Sequence, residues 1–347
     1  MNDSSFGLKS KLEKPSHMGL FINNACSLLV TFIVTLFLLL SQNQVNADAA
    51  DAEPQLYGMV VTGKRPGPPL WKVTNQGNVL WIFGTLDYLP KRLNWDPASV
   101  RFELSQSKEY ISPPQINARE NNPFKAISLI RKFNRLLKNP DGKTLQDVLP
   151  EELYARFLKA KSIYAPRDDK IFNLRPQEAA GSLFRAAQDS VGLSLDQKVG
   201  NRLRRIARGR GATLIDHRKS LDVDAFIQGY ENILLEDEIA CLQSTLETIE
   251  TDLEAMIVRA NAWANGDADL LLKLDYPDRQ QVCFESITST DEVKSIVEQA
   301  RIEWVESIES ALTNNKKSFA NFPMREIVHP EGLLAQLKQQ GYAVSGQ

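Results

Sequence analysis

The sequence contains few of the residues on which hydrolytic and metal chemistry usually depends. Cysteine and histidine each occur three times in 347 residues, and no CxxC pair or HExxH segment is present. The GxSxG, Walker and Rossmann glycine patterns are also missing, as are internal repeats. Zinc knuckles, zincins, serine hydrolases and nucleotide-binding enzymes therefore have no motif support. The formal net charge of −2 argues against a nucleic-acid binder.

One long apolar run is present, close to the N-terminus. Three lysines precede a run from about Cys26 to Leu40, and the small-x-small segment Ala47–Ala49 follows it. This order is typical of a secretory signal peptide, and the run is short of the roughly 20 residues that span a bilayer. We therefore predict a signal peptide over residues 1–49 and a periplasmic or secreted protein. The alternative is an uncleaved N-terminal helix, which would anchor the protein to the membrane.

Two cysteines, Cys241 and Cys283, follow the predicted cleavage site. An even pair in an oxidising compartment is a disulfide candidate, and two buried free thiols are the alternative. Residues 50–69 are polar and rich in proline and glycine, which predicts a linker. A single folded domain is expected over residues 70–347.

The pattern of apolar residues predicts a mixed α/β (α+β) fold. Residues 70–74 and 79–83 form a predicted β-hairpin around a Gly/Asn turn, and the second strand is apolar throughout. Further short strands are expected at residues 58–62, 109–112, 212–215 and 342–344, and helices at 96–106, 196–208, 236–265, 291–313 and, opened by His329–Glu331, before Gly341. A small central sheet would then combine the N- and C-terminal segments around a large helical insertion.

Three stretches resemble the TraB/GumN family, which is similar to Tiki-type metalloproteases and erythromycin-esterase-like proteins. Leu70–Val73 with residues 79–87 is similar to the family's LWKV, apolar strand and GTxH. Ala262–Asp267 is similar to AWxxGD, and Arg301–Trp304 with Pro330–Tyr342 is similar to RNxxW and PDGLLxxLxxxGY. The three stretches occur in the family's order.

The resemblance implies a metal site built from two GxxH motifs with glutamates between them, in which the metal activates water. Asp87 and Glu326 occupy the two histidine positions here, and Asp222 occupies the glutamate position of an LE pair. Arg301 is retained, whereas residues 110–112 lack the carboxylate that the family carries there. His217 and His329 fall on no motif position.

These departures leave two interpretations of the site. Asp87, Asp222 and Glu326 could form an all-carboxylate site for Mn²⁺ or Mg²⁺, with Arg301 stabilising negative charge, in a metal-dependent hydrolase. Alternatively they are remnant side chains of a catalytically degenerate module that binds an unknown protein or glycan of the cell envelope without a cofactor. We predict the second. A purely structural envelope protein, tethered by an uncleaved signal, is a third possibility.

One basic run stands out from the otherwise balanced charge. It comprises Arg202, Arg204, Arg205, Arg208, Arg210, Arg218 and Lys219. It would suit an anionic glycan, a lipid headgroup or a phosphate. It also fits the solvated face of a helix that ends at Gly209, because cations are favoured near a helix C-terminus.

Overall fold

A six-stranded sheet forms the centre of the protein. The computed structural model describes residues 67–118, 120, 122–195, 198–276, 282–285 and 291–346. The strand order of the sheet is β10-β1-β2-β9-β4-β7, and two-stranded pairs β3-β6 and β5-β8 lie beside it. The strands are β1 (Leu70–Asn75), β2 (Asn78–Thr85), β3 (Tyr88–Pro90), β4 (Glu109–Ile111), β5 (Gln115–Ala118), β6 (Leu193–Leu195), β7 (Thr213–Ile215), β8 (Arg218–Leu221), β9 (Lys317–Pro323) and β10 (Ala343–Gly346).

Besides a short helical segment at residues 282–285, thirteen α-helices in the described residues surround these strands. They are α1 (Ala98–Ser105), α2 (Pro123–Leu136), α3 (Leu145–Val148), α4 (Glu151–Tyr164), α5 (Pro176–Ser190), α6 (Lys198–Gly209), α7 (Val223–Glu231), α8 (Leu235–Thr251), α9 (Leu253–Asn265), α10 (Ala268–Lys273), α11 (Asp291–Asn314), α12 (Met324–Val328) and α13 (Leu333–Gln339). The predicted mixed α/β class is confirmed.

The predicted hairpin β1–β2 opens the sheet. Its two turn residues, Gln76 and Gly77, both have positive φ, 47° and 86°. Two successive positive φ values give the turn whose twist matches that of paired strands. Residues Leu80–Phe83 of β2 are buried, as a strand that is apolar at every position predicts.

The middle of the sheet is parallel and joins the two ends of the chain. β2 pairs with β9, β9 with β4, and β4 with β7, all in parallel. β10 pairs with β1 at one edge. The predicted sheet from N- and C-terminal segments is therefore present, extended by β4 and β7 from within the insertion.

Helices cover both faces of the sheet. Side chains alternate along a strand, so Lys317 and Phe322 of β9 point to opposite faces. Lys317 Nζ donates to Glu103 of α1 at 2.7 Å, whereas the ring of Phe322 packs on Trp304 of α11 with centroids 5.0 Å apart. Helix α6 packs beside α1, on the face to which Lys317 points. Helix α12 comes directly after β9 and packs against β9 and β2. The parallel strands are thus buried between two helical layers.

The helical insertion has a hydrophobic core of its own, formed largely by α4, α5 and α8. The sulfur atoms of Cys241 in α8 and of Cys283 lie at disulfide distance, 2.02 Å. This finding supports the disulfide interpretation over two free thiols. The bridge connects α8 to residues 282–285, across 42 positions of sequence.

The helix predicted over residues 236–265 is wrong in one respect, because two helices, α8 and α9, occupy the segment. The break is at Asp252, whose φ and ψ are −117° and −8°. Its two carboxylate oxygens accept hydrogen bonds from the Arg259 guanidinium at 3.0 and 2.5 Å, and both residues are buried. This ion pair anchors the interruption inside the protein.

The last predicted helix also begins later than expected. His329 lies at the end of α12, where its Nδ1 accepts the Glu331 backbone N–H at 3.1 Å. The next helix, α13, starts at Leu333 with Gly332 as its N-cap. His329 therefore has a structural contact in the loop between two helices.

The predicted signal peptide and the predicted strand at 58–62 lie outside the described residues. Among the helices that the structure describes, none combines the length and the apolar character needed to cross a bilayer.

Candidate functional site

The carboxyl ends of the parallel strands define one edge of the sheet, which we call the carboxyl edge. The helices that precede β4 and β7 lie on one face, and α11, which precedes β9, lies on the other. The chain therefore changes faces between β9 and β4, and such a switch point leaves a crevice at the carboxyl ends of the strands. Ligands of open α/β sheets bind in this position, which makes the carboxyl edge the candidate site.

Asp87 and Glu326 both follow strands that end at the carboxyl edge. Thr85, the last residue of β2, pairs with Pro323, the last residue of β9. Asp87 lies two positions beyond β2, and Glu326 lies in α12, which starts directly after β9. The two residues at the family's histidine positions therefore leave adjacent strands at the same edge.

Each carboxylate oxygen of Glu326 accepts a hydrogen bond. Its side chain is buried, with 3% of the residue exposed. Oε1 accepts from Arg301 Nη1 at 2.8 Å, and Oε2 accepts from the Leu333 backbone N–H at 2.9 Å. The carboxylate thus pairs with a cation from α11 and holds the first turn of α13.

Two glycines allow close packing around α12, the helix that carries Glu326. A Cβ on Gly332 would lie 2.8 Å from the Glu326 carbonyl oxygen, closer than real Cβ contacts. A Cβ on Gly84 would lie 2.4 Å from Met324 Sδ. Gly332 therefore requires a residue without a side chain, whereas at Gly84 the flexible Met324 side chain would have to shift. Both glycines belong to the motifs that carry the resemblance.

The motifs that are far apart in sequence touch each other in the structure. The buried Trp263 of α9 donates its indole N–H to the Gly84 carbonyl at 2.7 Å. Trp304 of α11 packs edge-on against Phe322 of β9. The tryptophans of the second and third stretches thus hold the two strands that end at the candidate site.

Asp222 has a different local role. It is exposed and precedes α7, where its side chain accepts the Ala225 backbone N–H at 2.9 Å. An aspartate at this position caps the helix. Helix capping accounts for the residue without a ligand.

Sequence reasoning missed a polar network at the ends of β4 and β7. The Ser112 hydroxyl donates to Asp216 Oδ1 at 2.8 Å and accepts from Arg204 Nη2 at 2.9 Å. Arg204 also pairs with Asp216, and Arg218 contacts the second carboxylate oxygen at 3.2 Å. A buried serine at 2% exposure is not accessible as a nucleophile. The only sequence signal for this network is that Ser112 and Asp216 directly follow two short strands, β4 and β7.

Electrostatics within the network favour a charged Asp216 beside a neutral His217. Burial tends to raise the pKa of Asp216, but the Ser112 hydrogen bond and the positive Arg204 outweigh it and lower the pKa. Burial lowers the pKa of His217, and the nearby Glu303 only partly opposes this. His217 Nε2 is buried and has no hydrogen-bond partner among the described residues. The imidazole is therefore expected to be neutral at pH 7.

A second buried contact links β4 to β9 below the edge. The Tyr110 hydroxyl donates to Asn321 Oδ1 at 2.6 Å, and burial raises the pKa of this phenol. Tyr110 belongs to the segment in which the family carries a glutamate. A hydrogen bond between neutral groups is present at this position.

Groups of three or more potential metal ligands are not found among the described residues. The four predicted site residues make different contacts. Arg301 and Glu326 form an ion pair. Asp87 follows β2 at the same carboxyl edge, and Asp222 caps α7.

Comparison with known proteins gives one match. The model of the TraB/PrgY/gumN family matches residues 69–346, which is most of the chain. The comparisons with curated proteins and with solved structures found no match.

Proposed function

The chain belongs to the TraB/PrgY/gumN family, and from this premise we propose that it is a ligand- or partner-binding module of the cell envelope that no longer performs metal-dependent hydrolysis. The protein is exported by its N-terminal segment, and the carboxyl edge is its binding surface. A protein or a glycan of the envelope is the partner. Signal cleavage releases the mature protein into the periplasm or the medium.

The hydrogen bonding of Glu326 carries this proposal. A buried carboxylate is costly to separate from its ion-pair partner, and a metal ion beside that partner would be repelled by its positive charge. Both oxygens of Glu326 already accept hydrogen bonds, one from Arg301 and one from the Leu333 N–H. A metal ion at Glu326 would lie next to the positive Arg301 guanidinium and would compete with the two hydrogen bonds that hold α11 and the start of α13.

The second candidate function is a hydrolase with a carboxylate-bound Mn²⁺ or Mg²⁺. It is favoured by the register of β2 and β9, which places Asp87 and Glu326 after adjacent strand ends. Such an ion would activate water and polarise a carbonyl. Arg301 would have to leave Glu326 and face the substrate instead.

Metal analysis with two variants separates the two functions. Purified full-length protein is incubated with Mn²⁺ or Zn²⁺, freed of unbound ions, and analysed by elemental mass spectrometry together with Asp87→Asn and Glu326→Gln. The binding module is expected to retain only substoichiometric metal in all three proteins. One ion per chain in the wild type, lost in both folded variants, would favour the hydrolase instead. Circular dichroism checks that each variant is folded.

Site-specific cross-linking tests the binding surface. A photoreactive amino acid at position 87 should form a discrete adduct in intact cells, whereas one at the exposed Glu236 of α8 should not. Mass spectrometry of the adduct identifies the partner as protein or glycan. The same adducts at both positions, or none at position 87, would count against the carboxyl edge.

The mature N-terminus tests export. Intact-mass measurement of protein recovered from the producing cells should give a species that starts near Ala50. A chain that still contains residues 1–49 would support the tethered structural protein instead.

A further inference from the structure

The structure divides the basic run into two parts with different surroundings. Arg204 and Arg218 pair with Asp216, and Lys219 pairs with Glu303. These cations are compensated by carboxylates at the carboxyl edge. Arg202 and Arg205 lie on a different side of α6 and have different neighbours.

Arg202 is held in place by an aromatic ring. Its guanidinium carbon lies 4.8 Å from the centroid of the Trp95 ring. Trp95 is itself buried, with 6% exposed, and its ring contacts Phe83 and Trp263 in the core. A guanidinium held over a fixed ring is restricted in position and can still donate hydrogen bonds from its N–H groups.

Two further arginines surround Arg202. Arg205 follows three positions later on α6, which makes the two side chains neighbours on the helix surface. Arg101 comes from α1, which packs against α6. Burial is the largest cause of a lowered pKa of Arg202, and the positive charges of Arg101 and Arg205 lower this pKa further.

These three arginines lack the carboxylate partners that Arg204, Arg218 and Lys219 have. In the part of the chain that the structure describes, no ion pair or side-chain hydrogen bond neutralises Arg101, Arg202 or Arg205. Arg101 and Arg205 are exposed and Arg202 is partly exposed, so all three are accessible to a ligand. Three like charges on two rigid helices would be relieved by a bound anion.

We propose that Arg101, Arg202 and Arg205, supported by Trp95, form a binding site for a phosphoryl group. Guanidinium groups match the oxygens of phosphate in bidentate geometry. A phosphate monoester carries up to two negative charges and three terminal oxygens, which three guanidinium groups can share, whereas a single arginine satisfies a carboxylate. The site lies on the α1–α6 layer, and it does not depend on the function proposed for the carboxyl edge.

Titration calorimetry with inorganic phosphate tests the site directly. The purified full-length protein is titrated at constant ionic strength, with chloride as the reference anion. Saturable binding of one phosphate per chain is expected. Arg202→Gln and Arg205→Gln should each weaken binding on the order of tenfold, because each removes charge-assisted hydrogen bonds.

Arg208→Gln is the matched control, since Arg208 is also exposed on α6 but is not among the charges that act on Arg202. This variant should bind phosphate like the wild type. Equal loss in Arg208→Gln and Arg202→Gln would indicate general charge attraction and overturn the site, as would the absence of saturable binding in the wild type. Thermal unfolding confirms that each variant is folded.

Vesicles distinguish the sources of the phosphoryl group. Sedimentation with phosphatidylglycerol vesicles, competed by phosphate and weaker in Arg202→Gln, would assign a lipid headgroup, and neutral phosphatidylcholine vesicles are the control. Saturable phosphate binding without vesicle binding would assign a soluble phosphorylated ligand. Both results support the phosphoryl site, and vesicle binding that is unchanged in Arg202→Gln contradicts it.

Discussion

At the scale of single residues, Glu326 has a structural role at a position where relatives are expected to carry a ligand. Removing one partner of a buried ion pair leaves the other charge unpaired and typically costs about 3–5 kcal/mol. We therefore expect Glu326→Ala to lower the free energy of unfolding by that amount, because Arg301 loses its partner and Leu333 N–H its acceptor. Urea unfolding measures the change.

The exposed Glu331, five residues away, provides the control for this prediction. Glu331→Ala should alter the free energy of unfolding by no more than about 0.5 kcal/mol, as is usual for surface positions. An equally small effect of Glu326→Ala would mean that Glu326 is not held by these contacts and is available for another role.

Glu238 gives the protein a pH-dependent stability. Burial raises the pKa of Glu238 from 4.5 to about 7, against the lowering effect of Arg175, whose Nε lies 2.5 Å from Oε1. Because the pKa is higher in the folded state, this contribution is complete below about pH 4.5 and is lost as the pH rises through about 7. We expect the wild type to lose stability between pH 5 and pH 8, by at most about 3 kcal/mol from this group.

The variant Glu238→Gln cannot ionise, so its free energy of unfolding should change less over the same pH range. Glu236→Gln, at an exposed position of the same helix, should follow the wild type. Urea unfolding at several pH values provides the comparison. Parallel curves for Glu238→Gln and the wild type would show that another group causes the dependence.

At the scale of elements, the close approach of α12 and the start of α13 depends on Gly332. An added Cβ would meet backbone atoms of Arg325 and Glu326 at 2.8–3.0 Å, and backbone cannot move aside as a flexible side chain can. Gly332→Ala should therefore destabilise the protein by about 1–3 kcal/mol, the usual range for overpacking. The control is Gly200→Ala in α6, where no atom lies within 4 Å of the added Cβ. It should stabilise by up to about 1 kcal/mol, and equal effects of the two substitutions would contradict the packing argument.

Most elements of the central sheet could be predicted from the sequence, but β9 could not. The hairpin residues alternate around a Gly turn, and β4, β7 and β10 are short apolar runs next to turn residues. The β9 segment, Lys317–Pro323, contains Ser318 and Asn321, which are buried by tertiary contacts that local patterning does not show. The break between α8 and α9 was missed for a similar reason. The apolar residues keep a helical spacing across Asp252, and the buried ion pair of Asp252 with Arg259 forms only in the folded protein.

At the scale of the whole molecule, the disulfide links α8, in the core of the helical insertion, to residues 282–285. In the chain-entropy description, a bridge across 42 positions contributes about 3–4 kcal/mol. Reduction of the wild type should lower its free energy of unfolding by that amount. The double variant Cys241→Ser with Cys283→Ser should show the same loss without reductant and no further loss with it. Insensitivity of the wild type to reductant would indicate two free thiols.

The candidate site could be predicted in part. Resemblance identified Asp87, Arg301 and Glu326, and the structure brings Arg301 and Glu326 together. The resemblance could not reveal that both oxygens of Glu326 accept hydrogen bonds, or that Asp222 caps a helix. Both findings depend on neighbours that are set by the three-dimensional path of the chain. The separation of Arg202 from Arg204 is also invisible in sequence, because the two residues face different partners from one helix.

The most direct test of the central claim is anomalous diffraction from crystals soaked in Mn²⁺. The account predicts that the Arg301–Glu326 contact of 2.8 Å is intact and that no anomalous peak lies beside Glu326 or Asp87. A peak bound by both carboxylates, with Arg301 displaced, would contradict it.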